Sequence, residues 1–192
     1  MLNSNSIDQT TYMVLKDLTD ETKFISKIAF TGTHGTGKTT SVFKLAADCK
    51  LHCSTKSVHI ITETASESPF KINKSTTPES QLWIFTTQIK RELENSLRYK
   101  LLISARTIVD CIAYSTIAGF KDLAKNQIEM AKSFIGTYDY IFYKSIEKNN
   151  FVFEDGIRDA KDMDFRKNMD CELKLIYDKL RDYIKPEALH FI

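Results

Sequence analysis

Phe30-Thr31-Gly32-Thr33-His34-Gly35-Thr36-Gly37-Lys38-Thr39-Thr40 decides how the chain is read. Gly32, Gly37, Lys38 and Thr39 fill the pattern of a glycine, four residues and then Gly-Lys-Ser/Thr, with Gly35 as an extra glycine inside the loop. A loop that wraps a triphosphate has to aim successive backbone N–H groups inward, and glycines permit that turn. A helix starting at its end adds the partial positive charge of its N-terminus, Lys38 adds a mobile ammonium, and the Thr39 hydroxyl completes the coordination of Mg²⁺. The run from Gly32 to Thr40 is therefore expected to hold ATP, with Thr39 on the metal.

The flanks supply the context the motif needs. Phe24-Ile25-Ser26-Lys27-Ile28-Ala29-Phe30 is an apolar run of strand length, and Ser41 to Ala47 has helical periodicity. Strand, glycine loop and helix in that order is the arrangement of a nucleotide-binding phosphate loop.

Working outward, 192 residues suit one α/β domain, and 42% hydrophobic composition provides for a real core. Residues 24–192 are expected to form that domain. Residues 1–23 are polar and irregular, read as an appended arm with a short helix around Tyr12 to Leu15, and carry no assigned chemistry. A net charge of +2, from 27 basic and 25 acidic residues, does not mark a general polyanion binder. No run approaches the length of a membrane span. Cys49, Cys53, Cys111 and Cys171 sit in apolar or helical surroundings with no secretory leader before them, which predicts a reduced, cytoplasmic setting. Cys49, His52, Cys53 and His59 are close in sequence, but the Cys-x₂-His-Cys spacing matches no usual zinc pattern and has no second half.

Further along, Ser57 to Thr62 reads as a second buried strand with Glu63 at its carboxyl end. In an open parallel sheet the ligand crevice lies beyond those ends, so Glu63 is a candidate to face the chemistry. Residues 66–80 read as a loop that closes over substrate. Gln81 to Tyr99 reads as a long amphipathic helix carrying Trp83 and Phe85, candidates to stack on a nucleobase. Lys100 to Ser104 is a third strand, followed by Ala105-Arg106-Thr107 and Asp110. A helix from about Asp122 to Phe134 leads to a fourth strand, Tyr138 to Tyr143. A charged segment, Glu154 to Asp159, precedes an amphipathic helix from about Met163 to Ile184, and Ala188 to Ile192 reads as a fifth strand. Strands alternating with helices call for a parallel sheet covered on both faces.

Four stretches together resemble the P-loop kinases related to bacterial nicotinamide riboside kinases and to deoxynucleoside and nucleotide kinases. They are Ile28 to Thr40, Glu63-Thr64-Ala65, Arg106 to Tyr114, and Asp155-Gly156-Ile157-Arg158 followed by Asp164-Phe165-Arg166. The resemblance implies a three-layer α/β fold, with five parallel strands in the order 2-3-1-4-5 and a small lid. It implies that Glu63 polarises or deprotonates the acceptor hydroxyl and that Arg106 holds phosphate or acceptor. It also implies that Asp155 to Arg158 form the lid, Asp155 and Asp110 lying toward the substrate. A lid arginine brought in on closure neutralises charge when transfer occurs, and closure excludes water.

One departure stands out. Relatives usually carry Asp immediately before the arginine after strand three, where it helps orient the Mg²⁺ shell or the acceptor; here the residue is Ala105. Either the chain relies on Glu63 and Asp110 instead, or it is an inactivated form. The second reading is favoured because everything around the alanine is preserved.

These features predict an ATP- and Mg²⁺-dependent kinase acting on a hydroxyl of a nucleoside or nucleotide. A variant takes a hydroxymethylated pyrimidine within DNA, as similar kinases of bacterial viruses do, and would then work in the host cytoplasm. Lys90, Arg91, Arg98 and Lys100 outnumber Glu92 and Glu94 and offer it a modest basic surface. A nucleotide-dependent switch or ATPase is the competing class. However, Asn73-Lys74-Ser75-Thr76 lacks the aspartate of a guanine reader, and no acidic strand-end pair of a motor is visible.

Overall fold

The structure, a computed structural model, describes residues 8–53, 57–148 and 162–192. Helix α1 (Gln9–Thr19) is followed by β1 (Lys27–Thr31), α2 (Lys38–His52), β2 (Val58–Ile61), α3 (Pro78–Ser96), β3 (Leu101–Ser104) and α4 (Ile108–Ile117). Then come α5 (Lys121–Phe134), β4 (Tyr140–Tyr143), α6 (Met163–Lys179) and β5 (Leu189–Phe191). The five strands are all parallel in the expected order, β2-β3-β1-β4-β5, with Ile28 paired to Ile103 on one side and to Tyr140 on the other.

Helices cover both faces because the central strands are apolar on both. Ile28, Phe30, Leu101, Ile103, Tyr140 and Phe142 point into a core with α1 and α2, while Ala29, Ile141 and Tyr143 point into a core with α3 to α6. Alternation with a period of two splits each strand between the two layers.

Some local boundaries differ from the sequence reading. The first strand starts at Lys27, leaving Phe24 81% exposed. Its start is fixed by the Asp139 carboxylate, which accepts from the N–H groups of Ser26 (2.7 Å) and Lys27 (2.9 Å). Helix α3 begins at Pro78, three residues before the amphipathic pattern, because Thr77 and Ser80 form a reciprocal capping box and proline suits the first helical position. Helix α4 was not read as a helix. Ile108 to Ala113 and Ser115 are all buried among α3, α5 and α6, so no polar face marks a period. The last long helix ends at Lys179, and Arg181 to Tyr183 continue as a single 3₁₀ turn.

In the segment read as an arm, residues 9–19 are helix α1, whose Val14, Leu15 and Leu18 are buried in the core against α2. Tyr140 donates a hydrogen bond to Asp17, tying the helix to β4. Among the described residues no helix is long and apolar enough to cross a membrane, and no disulfide joins the cysteines.

Candidate active site

The site is assembled at the carboxyl ends of β1, β2, β3 and β4. The glycine loop leaves β1 through Gly32, at φ 136°, and Gly35 and Gly37 also take positive φ, at 72° each. At Gly32 glycine is required twice over: the backbone lies in a region that side chains rarely enter, and an added Cβ would clash with the carbonyl oxygen of Lys144. The loop is braced from within. Thr36 Oγ1 donates to the carbonyl of Thr33 (3.0 Å), and Lys38 Nζ donates to the same carbonyl (2.6 Å).

Thr33 Oγ1 is buried with no hydrogen-bond partner among the described residues, an unused hydroxyl inside the glycine loop. With the left-handed glycines and the N-terminus of α2, it fits a bound triphosphate. The donor set for Mg²⁺ is thinner. Thr39 lies exposed on the first turn of α2, but Ala105 is 2% exposed and packed in the α1–α2 core. No group of three or more His, Cys, Asp or Glu residues that could hold a metal occurs among the described residues. The chain therefore offers a magnesium ion a hydroxyl at Thr39 and no carboxylate at 105.

Beside the loop lies a buried ionic cluster. Arg106 is 6% exposed; its Nη2 lies 3.0 Å from Glu63 Oε1 and its Nη1 3.3 Å from Asp110 Oδ1. Burial opposes the charge on Arg106, but Glu63, Tyr114 and Asp110 outweigh it and lift its pKa above the usual guanidinium value. Asp110 is fully buried and heavily used: Oδ2 accepts from Thr31 Oγ1 (2.8 Å), Thr107 N (2.9 Å) and Thr107 Oγ1 (3.0 Å). The Thr107 hydroxyl in turn shares a 2.8 Å hydrogen bond with Tyr177 on α6. On the other side, the Arg106 carbonyl accepts from Ser104 Oγ (2.6 Å), which Gln88 of α3 also contacts at 3.1 Å. Arg106 is thus oriented from β1, β2, α3 and α4 together.

Over this cluster opens a cavity of about 730 Å³, within the size range of small-molecule sites. Arg106 and His34 reach it from the sheet side, and Ile72, Thr76, Gln81 and Ile84 from the 66–80 loop and α3. Tyr114, Phe120 and Phe165 supply aromatic walls from α4, the start of α5 and α6. The ring of Phe165 lies 5.7 Å from His34 and 6.2 Å from Tyr114, so α6 is packed directly on the glycine loop. Cys111 also lines the cavity, and burial pushes its thiol up to about 12, which keeps it protonated and unreactive.

The expected residues divide unevenly. Gly32 to Thr40, Glu63, Arg106 and Asp110 come together at one end of the sheet. Asp110 lies beneath Arg106 as an anchor with both oxygens engaged. Trp83 does not line the cavity; it packs against the α3–α6 core, and Phe85 is fully buried. Gln81 and Ile84, on another face of the same helix, take the place expected for Trp83. Polar Gln81 and Gln88 on the buried stripe of α3 were the available signal. Asp155 and Arg158 lie outside the described residues.

Three contributors, Tyr114, Phe165 and Arg166, stand within the stretches that carry the resemblance, which assigns them no individual role. Arg166 is fully buried on the first turn of α6, where among the described residues its Nε and Nη2 have no hydrogen-bond partner and Nη1 meets Met163 Sδ at 3.4 Å. Burial pushes its pKa down. A buried guanidinium without an anion is costly unless a ligand supplies one.

The basic cluster near β3 is partly spent. Arg91 makes a two-pronged pair with Glu67 (2.9 and 2.5 Å), Lys90 lies 3.8 Å from Glu94, and Arg98 and Lys100 stay exposed.

Residues 27–184 match the family model described as "AAA domain". No curated protein sequence matches the chain. Among solved structures, it is similar to deoxyadenosine kinase from M. mycoides with products dCMP and dCDP bound, at 16% identity and TM-score 0.59, covering 86% of this chain and 88% of that one. Thymidylate kinase from Ehrlichia chaffeensis aligns at 20% identity and TM-score 0.58, covering 88% and 86%. NadR in complex with NR aligns at 16% identity and TM-score 0.58, covering 88% of this chain and 43% of that one.

Proposed function

The chain belongs to the AAA domain family, and from that premise we propose that it is a kinase that transfers the γ-phosphate of ATP to a hydroxyl of a nucleoside or nucleotide. The observation that carries the proposal is the Glu63–Arg106 pair, 3.0 Å apart, with Arg106 lining an aromatic-walled cavity beside His34 of the phosphate loop. A switch or bare ATPase has no use for a second cavity of that size beside its phosphates. The nucleoside and nucleotide kinases of similar fold support the same reading.

The roles follow from the geometry. The glycine loop and Lys38 bind the triphosphate, Lys38 exchanging the Thr33 carbonyl for phosphate oxygens. Tyr114, Phe120 and Phe165 hold the planar part of the acceptor, and Gln81 and Asn73 present polar groups to it. Glu63 polarises the acceptor hydroxyl and takes up its proton as the oxygen attacks phosphorus. Arg106 fixes that carboxylate and presents positive charge to the transferring group, with charge supplied also by Arg166 and by Arg158 of the lid segment. Thr39 would hold Mg²⁺ arriving with the nucleotide, and the ion would supply positive charge against the phosphates.

Ala105 makes this a low-turnover form, since the phosphate loop is intact while a carboxylate is missing beside it. The test is acceptor-stimulated consumption of ATP: nucleosides or nucleoside monophosphates accelerate it if the reading holds. Equal rates with and without every acceptor contradict it.

A further inference from the structure

A line of buried polar side chains runs from the amino end of β1, the end of the sheet opposite the site, to the Glu63–Arg106 pair. Lys27, the first residue of β1, pairs its ammonium with Glu92 of α3 and donates to Thr137 Oγ1 at 2.8 Å. The same ammonium lies 4.0 Å from the ring centre of Phe134 and 4.1 Å from that of Tyr138. The Glu92 carboxylate also accepts from the Tyr138 hydroxyl (2.8 Å) and from Gln88 Nε2 (2.6 Å), one helical turn back along α3. Gln88 carries the line on to two strand ends. Its Oε1 accepts from Thr64 Oγ1 at 2.7 Å, and its Nε2 lies 3.1 Å from Ser104 Oγ and 3.4 Å from the Arg106 carbonyl. Thr64 follows Glu63 and opens a 3₁₀ turn, while Ser104 ends β3 and donates to the Arg106 carbonyl. Gln88, Glu92, Thr64 and Ser104 are all buried.

We propose that Gln88 is a positioning residue that holds Glu63 and Arg106 in register for transfer, and that the Lys27–Glu92 ion pair fixes the direction in which its amide faces. The proposal rests on the phosphotransfer reading. An ionised carboxylate only accepts hydrogen bonds, so the amide NH₂ of Gln88 has to turn toward Glu92 and its oxygen toward the Thr64 hydroxyl. A reversed amide would set its oxygen against the carboxylate and leave the Thr64 hydroxyl facing a second donor. Thus one side chain of α3 clasps the turn that carries Glu63 to the strand exit that carries Arg106, and Lys27 keeps the carboxylate that orients it charged. Stability alone does not account for this arrangement, because a buried ion pair replaced by apolar side chains of similar volume often leaves a core as stable or more so. Geometry does: misplacing reacting groups by about 1 Å costs on the order of 10²-fold in rate.

The experiment separates positioning from stability. Gln88→Met keeps the length of the side chain and removes the amide. It should lower kcat for transfer by about 10- to 100-fold with KM for ATP changed less than about twofold. Thr64→Val, which releases only the β2 end, should show the same split, and Thr64→Ser, which keeps the hydroxyl, should restore kcat. Leu18→Ala removes apolar packing in the other core and should lower the melting temperature without lowering kcat. Rotation of the Arg106 guanidinium, followed by ¹⁵N NMR, gives a readout that needs no turnover: it should be slow in the wild type and in Leu18→Ala, and faster in Gln88→Met. Wild-type kcat and guanidinium rotation in Gln88→Met, Thr64→Ser no better than Thr64→Val, or equal losses in Leu18→Ala would overturn the assignment. A wild-type chain that transfers phosphate to no acceptor refutes the phosphotransfer reading instead, and the guanidinium rotation then decides by itself whether Gln88 holds Arg106.

Discussion

Arg106 Nη2 lies 3.0 Å from Glu63 Oε1, joining the carboxyl ends of β2 and β3 by an ion pair whose arginine lines the large cavity. A carboxylate meant to accept a proton from a substrate hydroxyl has to be held still, and a guanidinium anchored by Asp110 does this. Glu63→Gln keeps the size and loses the base, so phosphoryl transfer should fall by about 10²- to 10⁴-fold with ATP affinity changed less than about twofold. Parallel transfer assays and calorimetry on the purified variant check both halves. A loss of ATP binding equal to the loss of transfer would move Glu63 out of the acceptor site.

The glycine loop allows a sharper test of backbone geometry. Gly32 and Gly119 both have positive φ, 136° and 83°, but only Gly32 has a carbonyl oxygen in the way of a Cβ, whereas Gly119 has open space within 4 Å. Gly119→Ala should cost about 1–2 kcal/mol from backbone conformation alone. Gly32→Ala has to displace Lys144 as well, and should cost more and abolish ATP binding. Thermal melts of the two variants, with and without ATP, give the comparison.

The attachment of α1 should depend on acid pH. Burial tends to raise the pKa of Asp17, but hydrogen bonds from Lys23 and Tyr140 outweigh it and hold the carboxyl below its ordinary 3.8. A folded-state pKa below the unfolded one stabilises the fold fully above pH 3.8, and that stabilisation is lost as pH falls through the lower folded value. Hydrogen exchange in residues 9–19 should therefore rise below about pH 3.8 ahead of exchange in β1 and β3. Asp17→Asn should show the same raised exchange already at neutral pH.

Ala105, one residue past β3, lies on the side of the sheet that meets the phosphate-loop helix, as its place in the core with Phe30, Val42 and Ile103 indicates. Ala105→Asp should add a metal-orienting carboxylate there. We expect transfer to rise at least about tenfold and to become more sharply dependent on Mg²⁺. In the absence of metal and nucleotide the buried carboxylate should lower the melting temperature. A variant that melts lower and gains no turnover would show that the alanine is not what limits this chain.

The phosphate loop and the parallel sheet were legible because each rests on local rules, glycine spacing and apolar runs alternating with helical periods; the strand order came only from the resemblance to P-loop kinases. Glu63 was legible as a strand-end residue, since the end of a parallel strand is where ligands lie, whereas Arg106 was marked only by the resemblance. Helix α4 was hidden because burial on every side erased its period. Trp83 was misplaced because helical phase alone does not say which apolar face meets a cavity, and the polar residues Gln81 and Gln88 on the buried stripe were the better guide. The core role of α1 depended on packing between segments more than a hundred residues apart, such as Asp17 with Tyr140. Arg166 stood within a quoted stretch without a role of its own, because its meaning comes from what lies beside it in space.

The most direct measurement is transfer of radiolabel from [γ-³²P]ATP, by the wild-type chain and by Ala105→Asp, to nucleosides, nucleoside monophosphates, nicotinamide riboside and hydroxymethylated DNA. The account predicts label on a free nucleoside or nucleotide, faint with the wild type and strong with the variant. Label released only as inorganic phosphate, or found only in DNA, or absent from every acceptor with both proteins, would contradict it.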